Sequence, residues 1–304
     1  MIRMPYSWRT VEGRRYLVPL YYRIKYKIDC FLENLFIKKI ALPHFGINTE
    51  PREGPFITVS LTTYPERNEA VFYAIKSLML QSLKADKIVL WLASSQYPNG
   101  IPAMFTPLIE RGLSVRFCDD LRSHKKYFYA LQEQKPNEVV ITFDDDIIYE
   151  SDAIEKLVKA HLQFPDCMIC NRVQKIIVDE NGLAPYFKWK VYNDVKAYCP
   201  TLCLIPSTGA GCLYPYGFVN PSYFDRDRII DNALTADDLW IGFNNINSRK
   251  KVVKTLAHVA TLINVKSSQT SSLTSLNDIG GENQRVIVRL LKIFPETLNR
   301  LNNQ

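Results

Sequence analysis

The strongest constraint on this chain is the run FDDDII at residues 143–148, which directly follows the apolar stretch Val139-Val140-Ile141-Thr142. A buried strand that ends in three adjacent carboxylates is poor material for a fold. Like charges a few ångströms apart raise one another's pKa and cost stability unless a cation neutralises them. In an extended segment side chains alternate, so Asp144 and Asp146 are expected on one side and Asp145 on the other. The first two are then placed to share a hard divalent ion, which takes oxygen ligands and leaves positions open for phosphate. An acidic loop with one residue capping a helix near Ser151 is the plainer reading, but such loops seldom follow so apolar a strand directly.

The surrounding pattern predicts what carries that strand end. ITVSLTT (57–63), KIVLWLA (87–93), LSVRF (113–117) and EVVITF (138–143) read as strands, with helices expected near 68–82, 103–111, 125–134 and 151–163. Strands and helices alternating at this spacing predict β-α-β units and a mostly parallel sheet, an α/β fold. Ligands of such sheets bind beyond the carboxyl ends of the strands, where Thr62-Thr63 and the three aspartates both fall. Residues 167–222 change character, with many aromatic, Gly and Pro residues and the tight passage STGAGCLYP at 207–215. TADDLW (235–240) then sets a second carboxylate pair, Asp237-Asp238, at the head of an apolar helix. Thr235 and Asp238 also have the spacing of a capping box, which accounts for Asp238 and leaves Asp237 unexplained.

With 304 residues, 47% of them hydrophobic, the chain is long enough to bury a full core as one large or two small domains. Cys167-x-x-Cys170 and Cys199-x3-Cys203 have the spacing of zinc half-sites. The first pair sits in a strand-like segment and no His accompanies the second, so free thiols in a reducing cytosol are expected. No secretory leader is expected, because polar and aromatic residues follow Arg3.

Charge is uneven. Residues 1–48 hold nine Lys/Arg against three Asp/Glu, which makes +6 of the +7 carried by the whole chain. The rest is nearly neutral, which argues against a nucleic-acid partner. In the same segment Ile24, Ile28, Phe31, Leu32 and Leu35 recur at helical spacing among Arg23, Lys27, Lys38 and Lys39. Basic residues interrupt every apolar run, so no bilayer span is predicted. The expectation is an amphipathic helix on an anionic membrane surface, at the inner face of the cell membrane; the alternative is a helix docked on the main domain.

Taken together, VSLTTYPER (59–67), HKKYFYAL (124–131), TFDDDIIY (142–149), NRVQKI (171–176), TGAGCLYP (208–215) and TADDLW (235–240) resemble a nucleotide-sugar-dependent glycosyltransferase of the GT-A fold. The resemblance is to family-2-like bacterial enzymes of surface-polysaccharide synthesis, with a likeness to the exostosin C-terminal domain, and covers roughly residues 55–290. Residues 1–50 lie outside it and are expected as a basic helical extension, while the resemblance implies a catalytic domain over 51–304, with a nucleotide-binding half (51–150) and an acceptor half (151–304).

The resemblance also implies roles. Thr62, Thr63 and Arg67 would contact the donor nucleotide, and Lys125 and Lys126 would approach its base or diphosphate. Asp144, Asp145 and Asp146 stand at the Asp-x-Asp motif, with Asp144 and Asp146 on Mn²⁺ or Mg²⁺ and Asp144 and Asp145 toward the donor. The loop with Gly209 and Gly211 would line the donor sugar, most often that of a UDP-sugar. Asp237 and Asp238 would bind a saccharide or lipid-linked acceptor and supply the base. Some such enzymes use a late His as a third metal ligand; His258, within a strand-like run, reads better as a core residue.

Two other classes fit parts of the pattern. A haloacid-dehalogenase-type phosphatase also opens with Asp-x-Asp after an apolar strand, but there the motif comes early in the chain and a Thr or Val usually follows it. A nucleotide-sugar-binding protein without turnover would need the donor residues and not the second acidic pair.

Overall fold

The computed structural model describes residues 8–11, 14–17, 20–180, 182–191, 195–256, 263–265 and 281–303, with side chains from residue 24 onward except at 190 and 191. A short hairpin, β1 (Trp8–Val11) and β2 (Arg14–Leu17), precedes the long helix α1 (Leu20–Lys39). The main domain then alternates as the sequence predicts. The order is β3 (Phe56–Thr63), α2 (Asn68–Met79), β4 (Lys87–Ala93), α3 (Thr106–Ile109), β5 (Leu113–Cys118), α4 (Lys125–Gln132) and β6 (Glu138–Thr142).

Past the aspartates come β7 (Ile147–Ile148), α5 (Ala153–Gln163) and β8 (Met168–Cys170). Short strands follow: β9 (Val173–Lys175), β10 (Val178–Asp179), β11 (Gly182–Leu183), β12 (Lys190–Val191), β13 (Leu204–Pro206) and β14 (Cys212–Tyr214). The chain closes with α6 (Arg226–Asn232), α7 (Asp237–Asn247), β15 (Val252–Lys254), β16 (Ile263–Asn264), α8 (Glu282–Ile293) and α9 (Thr297–Asn302).

Seven strands form one sheet in the order β15-β8-β14-β6-β3-β4-β5, and only β14 runs antiparallel to its neighbours. From β3 the chain moves outward through β4 and β5, then returns to lay β6 on the other side of β3. That reversal opens the sheet between the carboxyl ends of β3 and β6, the usual binding position in such folds. Strand β3 is apolar on one face, where Ile57, Val59 and Leu61 pack with Val71, Ile75 and Leu78 of α2. Its other face carries buried Thr58 and Ser60. Ser60 Oγ donates to the carbonyl of Lys126, and so fixes the first turn of α4 over the sheet.

Helix α1 confirms neither simple expectation. It does dock, through Tyr26, Cys30 and Ile37, on Ala70, Ile148, Ile263 and Val265. The predicted apolar stripe is not the docked face, for Ile24, Ile28, Phe31, Leu32 and Leu35 are all exposed. No helix among the described residues is long and apolar enough to cross a membrane. The stretch 254–265, read as one strand around His258, holds the last residue of β15 and all of β16, and His258 itself lies outside the described residues.

Candidate active site

Three adjacent aspartates at the end of β6 demand compensation, and the structure supplies two cations. Lys126 Nζ lies 2.6 Å from Asp144 Oδ1, and Arg67 Nη1 lies 2.8 Å from Asp145 Oδ1 and 3.0 Å from Asp146 Oδ2. This departs from strict alternation, which would send Asp145 and Asp146 to opposite sides. Extended backbone ends at Thr142 and residues 145–146 form a turn, so one guanidinium serves both carboxylates. Asp145 is buried and also accepts from Thr63 Oγ1 at 2.7 Å, which leaves Asp144 and Asp146 as the solvent-facing members. Burial and the neighbouring Asp145 push Asp146 up to about 7 against the opposing pull of Arg67.

The second acidic motif reaches the same place. Asp237 Oδ2 lies 3.0 Å from Lys126 Nζ, so a single lysine spans both motifs. Helix α7 begins at Asp237 with no side-chain cap, and Asp238 does not fold back to close a capping box. Instead Asp238 Oδ1 accepts from the backbone N–H of Thr208 at 2.8 Å and from its hydroxyl at 2.6 Å, while Thr208 Oγ1 also lies 2.6 Å from Asp237 Oδ2.

The two carboxyls diverge as a result. Burial works against ionised Asp237, but Lys126, with His124 and the Thr208 hydroxyl, holds it well below the usual carboxylate range. Burial and the charge on Asp237 push Asp238 up to about 7. Paired carboxyls driven apart in this way mark acid–base sites.

Lys125 is set apart from the cluster. It is buried, but its Nζ lies 3.0 Å from Asp120 Oδ1, beyond β5, and does not contact the aspartate motifs. Thr62 Oγ1 donates to the carbonyl of Trp91 at 2.9 Å, a tie between adjacent strands. Gly209 and Gly211 shape the loop before β14. A Cβ on Gly209 would collide with the Asp144 carboxylate, so only glycine lets the loop pass beside it. Gly211 has a φ of 103°, which favours glycine, and its carbonyl accepts from Asn171 N–H at 3.0 Å.

Two contributors were not singled out from sequence. Tyr149 Oη accepts from the Asp144 N–H at 2.8 Å and donates to the Gly209 carbonyl at 2.6 Å, clamping the aspartate turn to the glycine loop. A Tyr just past an acidic strand end was the only signal. His124 is buried between the Tyr127 hydroxyl and the Ala233 carbonyl, and braces the helix start that carries Lys126.

The donor set suits a small hard cation. Asp144 and Asp146 offer two partly exposed carboxylates, and the raised Asp146 carboxyl is under-compensated by Arg67 alone. Among the described residues no group of three His, Cys, Asp or Glu is arranged around one metal position. Two carboxylates are enough for Mg²⁺-like ions, which complete their shell with water and substrate phosphates. Among the described residues the two cysteine pairs form no such group either, and none of the seven cysteines is in a disulfide.

No family model matches the sequence, and no curated protein matches it. Among solved structures, GalNAc-T7 with UDP, GalNAc and Mn²⁺ matches 93% of this chain and 59% of its own length, with a TM-score of 0.51 at 10% identity. This chain has a GT-A fold. A mannosyltransferase from Pyrobaculum calidifontis in complex with GDP-Man and Mn²⁺ matches 92% of this chain and 84% of its own at TM-score 0.46 and 13% identity. A 4-diphosphocytidyl-2C-methyl-D-erythritol synthase from Anaerococcus prevotii matches 79% of this chain and 97% of its own at TM-score 0.40 and 12% identity. The last two scores add no weight to the GT-A assignment. In this GT-A domain the two acidic motifs meet where β3 and β6 part.

Proposed function

We propose that this GT-A protein is a glycosyltransferase that moves a sugar from a nucleotide-sugar donor to a hydroxyl of a growing polysaccharide or lipid-linked saccharide. The observation that carries the reading is Lys126, which ties the strand-end aspartates to the Asp237-Asp238 pair and so sets a phosphate-handling cluster against a proton acceptor. Asp144 and Asp146 would hold Mn²⁺ or Mg²⁺. Such an ion, when bound, stabilises charge on a leaving diphosphate as a Lewis acid.

The chain's own groups do the rest. Arg67 holds Asp145 and Asp146 in place and brings positive charge to the β3 end, where an anionic donor would lie. Asp237 stays ionised and keeps Lys126 charged, which makes it a positioning residue. Asp238 is the better base. Thr208 occupies its Oδ1, no described hydrogen bond uses its Oδ2, and a carboxyl near 7 is matched to taking a hydroxyl proton at neutral pH.

A nucleotide-sugar-binding protein without turnover would have no use for a carboxyl tuned in this way. The phosphatase reading asks for the aspartates on an early strand, whereas here they end β6, the fourth strand of the main sheet in chain order. The test is a thermal-shift screen of UDP-, GDP- and CMP-sugars with and without Mn²⁺, followed by assay of nucleotide release with saccharide acceptors. One nucleotide sugar should raise the midpoint with its concentration, and only with Mn²⁺ present. No stabilisation by any nucleotide sugar, or sugar-phosphate hydrolysis without transfer, would sink the proposal.

A further inference from the structure

The surface feature that the active-site reading leaves unexplained is the outward face of α1. Docking consumes one side of this helix, where Tyr26, Cys30 and Ile37 pack on the main domain and Asn34 Nδ2 donates to the Asn264 carbonyl at 2.9 Å. The opposite side, by helical spacing, carries Ile24, Ile28, Phe31, Leu32, Leu35 and Phe36. All six are exposed, Phe31 at 63% and Phe36 at 57%. A soluble helix seldom leaves so continuous an apolar face in water unless something covers it.

Charge identifies what covers it. Lys39 is exposed on that side, Lys25 lies on it between Leu32 and Phe36, and exposed Lys27 and Lys38 stand at its edge beside Phe31. The helix's acidic residues are half-buried: Asp29 stands at the other edge of that face, beside Phe36, paired to Lys25 at 3.3 Å, and Glu33 lies on the docked side. An apolar stripe that carries four lysines against one half-buried, paired carboxylate is the composition of a helix lying in the plane of a lipid headgroup layer. There the lysine stems follow the apolar surface while the ammonium groups reach anionic phosphates. A second copy of this chain is a poorer occupant, since two such faces brought together would oppose lysines to lysines with only Asp29, already paired to Lys25, at the border.

We propose that α1 is a peripheral membrane-binding element that seats the protein on an anionic bilayer surface through its outward face. The attraction combines apolar insertion with a salt-screened electrostatic part.

Co-sedimentation of the full chain with vesicles tests this, using phosphatidylcholine alone or mixed with phosphatidylglycerol, at low and high sodium chloride. The protein should pellet with the mixed vesicles and be released by salt. Phe31→Glu with Leu35→Glu, and separately Lys27→Glu with Lys39→Glu, should each lower the partition by about tenfold or more. Because all four side chains are exposed, the thermal midpoint of both variants should stay at the parent value, which separates lost binding from lost folding. Failure to pellet, or equal pelleting with neutral vesicles, would overturn the proposal. So would a lipid-free dimer that Phe31→Glu with Leu35→Glu dissolves while vesicle binding is absent.

Discussion

The two acidic motifs use the same residue and arrive at different electrostatics. At the end of β6, three carboxylates share two cations, and Asp146 is left with a raised proton affinity. At the head of α7, two carboxylates share one lysine and one hydroxyl. Asp237 takes the lysine and stays ionised, and Asp238 is left to hold a proton near neutrality. In each motif a buried member is bound fast and its more exposed neighbour inherits the repulsion. What an aspartate does here is decided by which cation its neighbour has already claimed.

The largest expected effect breaks the symmetry within the α7 pair. Asp238→Asn should lower turnover by about 10²–10⁴-fold with donor affinity nearly unchanged, as loss of a general base does. Asp237→Asn should cost less turnover and more stability, because it strands Lys126. Equal losses in kcat from both, with no difference in melting, would erase the distinction drawn between base and positioning residue.

Removing the shared cation comes next. Lys126→Met leaves Asp237 buried without its partner, and should destabilise the fold by about 3 kcal/mol in denaturant melts. Asp144 adds little, since its side chain is 40% exposed and solvent screens it. A loss below about 1 kcal/mol would mean that other groups compensate Asp237.

The smallest effect concerns pH. Asp146 and Asp238 bind protons more tightly folded than unfolded, so between about pH 4 and 7 the folded state holds more protons and stability falls as pH rises. The metal-free protein should therefore melt a few degrees lower at pH 8 than at pH 5. Mn²⁺ should restore part of that difference at pH 8 and little at pH 5, where Asp146 is protonated. Asp146→Asn should abolish the Mn²⁺ effect and reduce the metal-free slope to the share carried by Asp238; a Mn²⁺ effect independent of both pH and Asp146 would place the ion elsewhere. Turnover should rise with pH through about 7 as Asp238 loses its proton.

Much of the architecture was legible because burial writes itself into sequence. The apolar runs of β3, β4, β5 and β6 fall within a residue of their expected bounds. The carboxylates were legible for the opposite reason, being costly where they stand. Partner choice was not. Lys125 and Lys126 are neighbours on one helix and point apart, to Asp120 and to Asp144, in an orientation held by contacts distant in sequence, among them Ser60 on the Lys126 carbonyl. The turn at 145–146 overrode the alternation expected of a strand, since a single Arg67 neutralises two adjacent charges only if the chain bends. For α1 the periodicity located an apolar stripe but not its direction, because Tyr26, Cys30 and Ile37 form a second, less hydrophobic face that docks.

The contact between Lys126 and α7 also has a consequence for how the chain is made. The β3–β6 ladder closes within residues 56–142, and Lys126 can meet Asp144 as soon as the segment through residue 144 folds. The other partners of Lys126 and Thr208 wait on residues 237 and 238, and those of His124 on residue 233. During synthesis the donor half thus stands for a time with a lysine only half compensated and a histidine short of one bond. Completion of the cluster is a late event on the ribosome, and a chain stopped before α7 would keep the Ser60 tie between α4 and the sheet but lack the carboxylates that join Lys126 to Thr208.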